Sequence, residues 1–351
     1  MKSGVIYSID DIRVEDRSNP VLHDNETLIR VKACGICTGE LTPWYITKKT
    51  KDNPGGYIPG HEFVGVIEKF GKNQPDQVIE GERIFVHHHA PCFEPDCHFC
   101  QRHKYVQCPT WKKLTTSNGG MAEFVAVKNY AIDNDSRKLY SMSFEQGTFI
   151  EPLACSVKAV GKANVRKGDT VLIIGAGVMG LLNALLCKLE GANIILSEID
   201  NERIKFIKSI NSDINADAIV NPLEQDLVEV TKSLSDGRGA DAVIVGPSLM
   251  QAIQQGIDCA APGANIVPFM SLPADENLVT NHFNLYFNEI NLIPSYSCGP
   301  AEVAEAREFI DFGKIKVDKL ITSIKPIDDF PEAFKTAAKG GANIKTIITF
   351  D

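Results

Sequence analysis

The stretch that decides the fold begins at Val171 and reads Val-Leu-Ile-Ile-Gly-Ala-Gly-Val-Met-Gly-Leu-Leu-Asn-Ala-Leu-Leu-Cys-Lys-Leu-Glu-Gly-Ala-Asn-Ile-Ile-Leu-Ser-Glu, ending at Glu198. It consists of an apolar run, a glycine-rich turn, an apolar helical segment and a second apolar run that ends in an acid. This order predicts a strand, a tight turn, a buried helix and a second strand, the unit that binds a dinucleotide in doubly wound α/β folds.

The glycine turn has the spacing that a bound pyrophosphate requires. Gly175 permits the tight turn, Gly177 lets the backbone approach the phosphates, and Gly180 lets the helix pack close to the strand. Val178 and Met179 open the helix, whose N-terminus offers unpaired N–H groups and the positive end of its dipole. We therefore predict that this turn binds a dinucleotide. The alternative is a glycine-rich turn that packs and binds nothing.

The acid at the end of the second strand predicts which dinucleotide binds. Glu198 lies about 20 residues beyond the glycine turn, the distance at which a carboxylate accepts hydrogen bonds from both ribose hydroxyls. The same carboxylate would repel a 2′-phosphate, so the predicted cofactor is NAD. Arg203 follows five residues later and could offset this charge.

The apolar character of this region raises the question of a membrane span. No charged residue interrupts residues 171–187, which is close to the roughly 17 residues that a short span needs. The glycines in the middle of the run, and Lys188 and Glu190 directly after it, fit a core strand and helix better. We predict no membrane span.

Size and composition restrict the class of protein. The chain has 351 residues, and because single cores stop growing at about 250–300 residues, two domains are expected. Lys and Arg number 36 against 45 Asp and Glu, which argues against a nucleic-acid partner. The N-terminus has no apolar signal segment, so the 10 cysteines indicate metal binding in the cytoplasm rather than a disulfide framework.

The pattern of predicted strands and helices changes twice along the chain. Residues 1–155 contain short apolar runs separated by glycine, proline and asparagine, which is typical of an irregular β-rich domain. The runs predicted as strands are 27–31, 63–69, 83–87 and 121–127. Strands and helices alternate over residues 156–290, and residues 291–351 are expected to return to the first domain. From residue 171 onward six strands are predicted, enough for a doubly wound parallel sheet: 171–174, 193–197, 218–220, 242–245, 265–268 and 291–295.

Four cysteines share one short loop within residues 88–112. Their pattern is Cys92-x4-Cys97-x2-Cys100-x7-Cys108. Four thiolates make a closed tetrahedral zinc site, in which the metal holds the loop together. Because no open coordination position remains, we predict a structural zinc rather than a catalytic one.

A second set of ligand types is dispersed along the chain. It consists of Cys37, the pair His61-Glu62 and Glu151. A thiolate, an imidazole and a carboxylate, with a fourth position for water or substrate, form a Lewis-acidic zinc site. Taken singly, each residue has an ordinary explanation: a core thiol, a histidine in a turn and an acid at the start of a helix. Their order and context together favour a catalytic metal.

The order of these motifs resembles that of the zinc-dependent medium-chain dehydrogenases/reductases of the alcohol dehydrogenase superfamily. The resemblance covers essentially the whole chain and is greatest to the branch that contains sorbitol and threonine dehydrogenases. It rests on the cysteine loop and on five motifs: Cys-Gly-Ile-Cys at 34–37, Gly-His-Glu at 60–62, Gly-Gly-Met-Ala-Glu at 119–123, Glu-Pro-Leu-Ala at 151–154 and Gly-Ala-Gly-Val-Met-Gly at 175–180.

The resemblance implies a GroES-like catalytic domain interrupted by a Rossmann domain, in a homodimer or homotetramer. It implies two zinc ions per chain. Cys37, His61 and an acid from Glu62 or Glu151 would hold the catalytic zinc, and the four loop cysteines the structural one. The implied reaction is transfer of hydride from a secondary alcohol to NAD.

Two departures from the family pattern concern the route of the alcohol proton. Relatives commonly carry Ser or Thr followed by Asp where this chain has Gly39-Glu40, so the hydroxyl that passes the proton onward is missing. A frequent histidine three residues later is Thr42 here. The substitutes that we consider are Thr42, a water held by Glu62 or Glu151, and a histidine of the run 87–89. His88 stands where relatives line the substrate pocket, and because side chains alternate along a strand, His87 and His89 are expected to point away from it. The alternative is that the run lies at the surface or only supports the site. A third departure is the x4 spacing in the cysteine loop, where relatives usually have x2.

The predicted substrate is a small alcohol, most simply a polyol or sugar alcohol. The form Glu-Pro-Leu-Ala implies this class, and Trp44 and Tyr45 would add aromatic surface to hydrogen-bonding groups. An L-threonine 3-dehydrogenase-like activity and an aldose or sugar-phosphate dehydrogenase remain alternatives. An alternative of another class is a non-catalytic, zinc-stabilised NAD-binding protein, since the usual proton relay is lost.

Overall fold

The computed structural model describes every residue from Met1 to Asp351 and divides into two compact units. The first contains Met1–Glu151 and Cys298–Asp351, and the second contains Pro152–Ser297. The sequence-based boundaries, after residues 155 and 290, differ from these by a few positions. The first boundary falls inside the helix Ile150–Ala163, and the second lies beyond 290 because the strand Asn291–Leu292 still pairs within the middle sheet.

The fifteen strands are, in chain order, β1 Lys2–Ile6, β2 Ile12–Asp16, β3 Glu26–Gly35, β4 Glu62–Phe70, β5 Arg83–Phe85, β6 Phe124–Lys128, β7 Arg137–Lys138, β8 Thr170–Ile174, β9 Asn193–Ser197, β10 Ala218–Val220, β11 Ala240–Val245, β12 Ala260–Pro268, β13 Asn291–Leu292, β14 Ile321–Pro326 and β15 Lys345–Thr349.

The twelve α-helices are α1 Pro43–Asp52, α2 Asn129–Asp135, α3 Phe144–Gly147, α4 Ile150–Ala163, α5 Val178–Leu189, α6 Asn201–Ser209, α7 Asn211–Ile214, α8 Leu227–Ser233, α9 Met250–Cys259, α10 His282–Phe287, α11 Pro300–Asp311 and α12 Phe330–Lys339. None of them combines the length and the apolar character that crossing a bilayer requires.

The second unit is a doubly wound parallel sheet. Its six strands lie in the order β10-β9-β8-β11-β12-β13, and every neighbouring pair is parallel. Renumbered from β8, this is the 3-2-1-4-5-6 order of the Rossmann fold. All five residues of β8 are buried, which explains why the strand reads as a continuous apolar run instead of an alternating one.

The glycine turn between β8 and α5 has the geometry that its sequence predicts. Gly175 has a φ of +87°, a left-handed conformation that side chains rarely adopt. A Cβ at Gly180 would collide with the carbonyl oxygen of Gly175, so the helix reaches the strand only because residue 180 lacks a side chain. The Rossmann fold expected from the sequence is confirmed.

The first unit is built around a largely antiparallel seven-stranded sheet. The path runs β14-β15-β3-β4-β5-β7, and β6 also pairs with β3, while β1 and β2 form a separate hairpin. The last strand, β15, pairs antiparallel with β3, with Ile348 opposite Cys34. The end of the chain therefore lies beside the strand that leads to Cys37.

Three predicted strands are shorter in the structure, and the one expected over 291–295 ends at Leu292. The strand expected through His87 ends at Phe85, because its partner β7 offers only two residues for pairing. The strand expected from Met121 begins at Phe124, because the Met121 N–H donates to the Pro59 carbonyl oxygen (3.0 Å) rather than to a strand. The histidine run therefore lies in a loop.

Candidate functional site

Three potential metal ligands of the first unit lie close together, near the end of β3 and the start of β4. The Cys37 Sγ, a ring nitrogen of His61 and a carboxylate oxygen of Glu62 lie within 4.8 Å of one another. Cys37 follows the end of β3 and Glu62 opens β4. Because Gly35 and Glu62 are opposite one another in the antiparallel ladder, the pairing itself brings these side chains together.

A second carboxylate orients the histidine of this set. The Nδ1 of His61 lies 3.1 Å from Glu40 Oε1, which also accepts the Gly60 N–H at 2.9 Å. Burial tends to raise the pKa of Glu40, but His61 and the Gly60 N–H outweigh it, so the pKa is lowered. A carboxylate on one ring nitrogen directs the other nitrogen to a metal. No role of Glu40 was predicted from the sequence, although it stands where relatives carry Asp.

Lys345, near the C-terminus, offsets the negative charge of Glu62. Lys345 Nζ forms an ion pair with Glu62 Oε2 and donates to the Ile36 carbonyl oxygen at 3.2 Å. The two side chains are only 1% and 2% exposed. Burial tends to lower the pKa of Lys345, but the Glu62 carboxylate raises it, so the lysine remains a cation. No local pattern in the sequence indicates this partner.

The structure groups the other candidate acid with different residues. Glu151, in the first turn of α4, lies with His87 and Cys298, whose ligand atoms are all within 4.8 Å of one another. Burial raises the pKa of Glu62, and the negative charge of Glu151 raises it further by a smaller amount. Of the two acids left open by the sequence, Glu62 is the one grouped with Cys37 and His61.

The four cysteines of the loop converge as their spacing predicts. Their sulfur atoms all lie within 4.8 Å of one another, with Cys92 Sγ 3.6 Å from Cys108 Sγ and 3.8 Å from Cys100 Sγ. Burial tends to raise the pKa of Cys108, but backbone N–H groups, that of Cys92 first, lower it to about 6. Phe93, at a φ of +54°, turns the chain within the longer first interval.

The three consecutive histidines face three different partners. His87 is buried, with Nδ1 2.9 Å from Asp135 Oδ2, and His89 stacks on Trp111 at 4.3 Å between ring centroids. His88 lies 4.9 Å from the His61 ring, and its buried Nδ1 has no hydrogen-bond partner. His88 is therefore the member of the run beside the metal-ligand set.

The remaining candidates near this set lie on or before α1. The Thr42 hydroxyl donates to the Gly39 carbonyl oxygen at 2.8 Å and is not directed to Cys37 or His61. Trp44 is 65% exposed and meets Tyr45 edge-on, with ring centroids 5.8 Å apart. Lys49 lies 5.5 Å from the centre of the Tyr45 ring.

In the second unit, Glu198, the acid predicted to bind ribose, accepts a hydrogen bond from the glycine turn. Glu198 Oε2 accepts from the Ala176 N–H (2.9 Å) and Arg203 Nη1 (3.1 Å). Oε1 accepts from the N–H groups of Ile199 (2.9 Å) and Asp200 (3.0 Å). Glu198 is therefore fixed at the carboxyl end of β9, where doubly wound sheets bind nucleotides.

Comparison with known proteins gives consistent results along the chain. Residues 23–133 match the family described as "Alcohol dehydrogenase GroES-like domain" and residues 178–312 the family described as "Zinc-binding dehydrogenase". D-arabitol-phosphate dehydrogenase of Enterococcus avium is 29% identical over 97% of this chain and 94% of its own. Sorbitol dehydrogenase of Halalkalibacterium halodurans is 26% identical over 96% and 95%. A Sinorhizobium meliloti 1021 structure, assigned as a zinc-binding dehydrogenase and bound to NADP, matches with a TM-score of 0.85 at 26% identity and covers 99% of both chains.

The buried ion pair at the site can be tested by removing its cation. Lys345→Met keeps the length of the side chain but leaves Glu62 buried without a counter-charge, so we expect a loss of about 3–5 kcal/mol in the free energy of unfolding. The double variant Glu62→Gln/Lys345→Met should be more stable than Lys345→Met alone. Urea unfolding of the metal-free protein measures both.

The control is Lys128→Met, which removes the cation of the Lys128–Glu26 pair at 3.5 Å, in which the lysine side chain is 51% exposed. We expect this variant to change the stability by no more than about 1 kcal/mol. Equal losses for Lys345→Met and Lys128→Met would show that the buried pair has no special role.

Proposed function

Because the chain belongs to the zinc-dependent medium-chain dehydrogenases, in their sorbitol dehydrogenase-like branch, we propose that it oxidises a secondary alcohol of a polyol or sugar alcohol and transfers the hydride to NAD. The observation that carries the proposal is the convergence of Cys37, His61 and Glu62, with His61 oriented by Glu40. A packed core needs no such set of ionisable groups.

The residues present fit a catalytic zinc. A thiolate, an imidazole and a carboxylate are zinc ligands, and three protein ligands leave a fourth position for substrate. When bound there, zinc acts as a Lewis acid that lowers the pKa of an alcohol. The closed set of Cys92, Cys97, Cys100 and Cys108 fits a structural zinc instead.

The surrounding residues prepare the site. Glu40 accepts at the Nδ1 side of His61 and fixes the ring, so that its Nε2 is the nitrogen available as a ligand. Lys345 balances the negative charge of Glu62, which would otherwise be costly to bury. The site is thereby positioned before any substrate arrives.

His88 is our candidate for the residue that takes up the alcohol proton. Burial lowers the pKa of His88 well below its ordinary value, and the charges of His89 and His61 lower it further. The unpaired Nδ1 of His88 offers a hydrogen-bonding position beside His61. Because a lowered pKa makes the imidazole a weaker base, His88 would pass the proton on to solvent and not hold it. Thr42 is a weaker candidate, because its hydroxyl proton is already donated to Gly39.

For the cofactor, we propose NAD bound at the turn formed by Gly175, Gly177, Val178, Met179 and Gly180. Glu198 supports this choice because its negatively charged carboxylate would repel the 2′-phosphate of NADP. Arg203 is the feature that favours NADP, since it reaches Glu198 and could meet the phosphate. NADP is bound in the Sinorhizobium meliloti structure, so the choice needs a direct test.

The proposed substrate class follows from the relatives and from the residues around the site. Arabitol phosphate and sorbitol are the substrates in the names of the two relatives, and Trp44 and Tyr45 provide an aromatic surface for a hydroxylated carbon chain. A polyol phosphate is a specific second candidate, because Lys49 lies 5.5 Å from the centre of the Tyr45 ring and provides a positive charge beside this aromatic surface. The threonine and aldose activities remain weaker alternatives.

We further propose that the protein works in the cytoplasm as a homodimer or homotetramer, as the family does. The alternative of a non-catalytic NAD-binding protein is disfavoured by the three-ligand set at Cys37, His61 and Glu62, which a scaffold would not require.

The substrate class can be tested by following NADH absorbance. The panel should contain arabitol, sorbitol and xylitol, arabitol phosphate, simple secondary alcohols, aldoses and threonine. We expect the highest kcat/KM with a polyol or its phosphate, and loss of activity after a chelator removes zinc.

Lys49→Met separates the two polyol candidates. It should lower kcat/KM for the phosphate ester by about tenfold or more and leave the free polyol nearly unchanged, as expected for one lost charged contact. Absence of polyol oxidation by zinc-loaded protein would refute the proposal.

The cofactor choice depends on the charge of one side chain. With the native protein we expect kcat/KM for NAD to exceed that for NADP by roughly 10- to 100-fold, the effect of one charged hydrogen-bonding group. Glu198→Gln keeps the shape and one acceptor oxygen but removes the charge, so the ratio should fall towards one. Comparable kcat/KM values in the native protein would refute the role of Glu198.

The role of His88 can be tested with two matched variants. His88→Phe keeps a ring but removes the nitrogen, and should lower kcat by about 100-fold if His88 takes up the proton. His89→Phe keeps the stack on Trp111 and should have little effect. Unchanged kcat/KM in His88→Phe would remove the residue from the mechanism.

A further inference from the structure

A second cluster of ionisable side chains in the first unit contains Glu151 but none of Cys37, His61 and Glu62. The ligand atoms of His87, Glu151 and Cys298 all lie within 4.8 Å of one another, with His87 Nε2 3.7 Å from Cys298 Sγ. On the other side of the imidazole, Nδ1 lies 2.9 Å from Asp135 Oδ2. His87, Asp135 and Cys298 are 0% exposed and Glu151 is 6% exposed.

Four separate parts of the chain build this cluster. His87 follows β5, Asp135 is the last residue of α2, Glu151 lies in the first turn of α4, and Cys298 comes just before α11. His87 and Cys298 are 211 positions apart in the sequence. Such a convergence of ionisable groups does not arise from local structure.

The cluster repeats the composition of the candidate catalytic site. Both sets contain one cysteine, one histidine and one glutamate, and in both a further carboxylate accepts at the Nδ1 side of the histidine. The Nδ1-to-carboxylate distances are 3.1 Å at His61 and 2.9 Å at His87. A carboxylate in this position characteristically orients a histidine that ligates a metal.

The chemical composition of the cluster suits a metal ion. The carboxylates of Asp135 and Glu151 and the thiol of Cys298 surround the single imidazole of His87, and all four side chains are shielded from solvent. A thiolate, an imidazole and a carboxylate that lie this close together are the ligand types of a zinc site.

We propose that His87, Glu151 and Cys298 bind a further zinc ion, with Asp135 positioning His87 so that its Nε2 faces the metal. Thiolate and imidazole ligands favour zinc over magnesium or calcium, which prefer oxygen ligands. Because Cys298 begins the C-terminal segment of the first unit, the ion would also fasten that segment to the histidine loop and to the start of α4.

Counting metal ions tests the site without measuring turnover. Protein saturated with zinc and then freed of unbound ion should contain about three zinc ions per chain, one for each set of ligands. Cys298→Ser and Cys37→Ser should each contain about two, and the double variant about one. The control Cys187→Ser alters a buried thiol in α5 that belongs to none of the three sets, and should retain about three.

A positioning variant covers the case in which Cys298→Ser fails to fold. Asp135→Asn keeps all three ligands, and should weaken zinc at this site by roughly 10- to 100-fold in competition with a chelator.

Two results would overturn the proposal: native protein that holds only about two zinc ions at saturation, or equal zinc content in native protein and folded Cys298→Ser. A native protein with three ions but without dehydrogenase activity would refute the proposed function and leave this site standing.

Discussion

One buried ion pair connects the candidate metal site to the end of the chain. Lys345 opens the last strand, Glu62 opens β4, and both are nearly inaccessible to solvent. An unpaired charge at such a position would cost several kcal/mol, so each residue depends on the other. Because β15 pairs with β3, the strand that leads to Cys37, the site is complete only when the C-terminal segment has folded against the first sheet.

The parts of the fold that are encoded locally could be predicted from the sequence. The glycine turn requires particular residues within six positions, and the cysteine loop carries all its ligands within one short segment. The central strand β8 of the doubly wound sheet was recognisable because all of its residues are buried, so that it reads as a continuous apolar run. Where strand pairing depends on a distant partner, the predicted strand was too long. The strand expected over 83–87 ends at Phe85.

The long-range partners could not be predicted in the same way. Lys345 approaches Glu62 across 283 positions, and Asp135 approaches His87 across 48, with no repeating pattern to mark either pair. The three consecutive histidines illustrate the limit. Their sequence suggested alternation along a strand, whereas in the loop each ring has a separate environment: a buried acid, the ring of His61, and Trp111.

The hydrogen bonds of Glu198 have a consequence for cofactor affinity. Four donors already surround its two oxygens, three of them backbone N–H groups and the fourth the Arg203 guanidinium. Any ribose that bonds to this carboxylate must therefore exchange places with one of them, and the net free energy is a difference between two similar contacts. Such an exchange keeps the cofactor from being held too tightly, which suits an enzyme that must release it after each turnover.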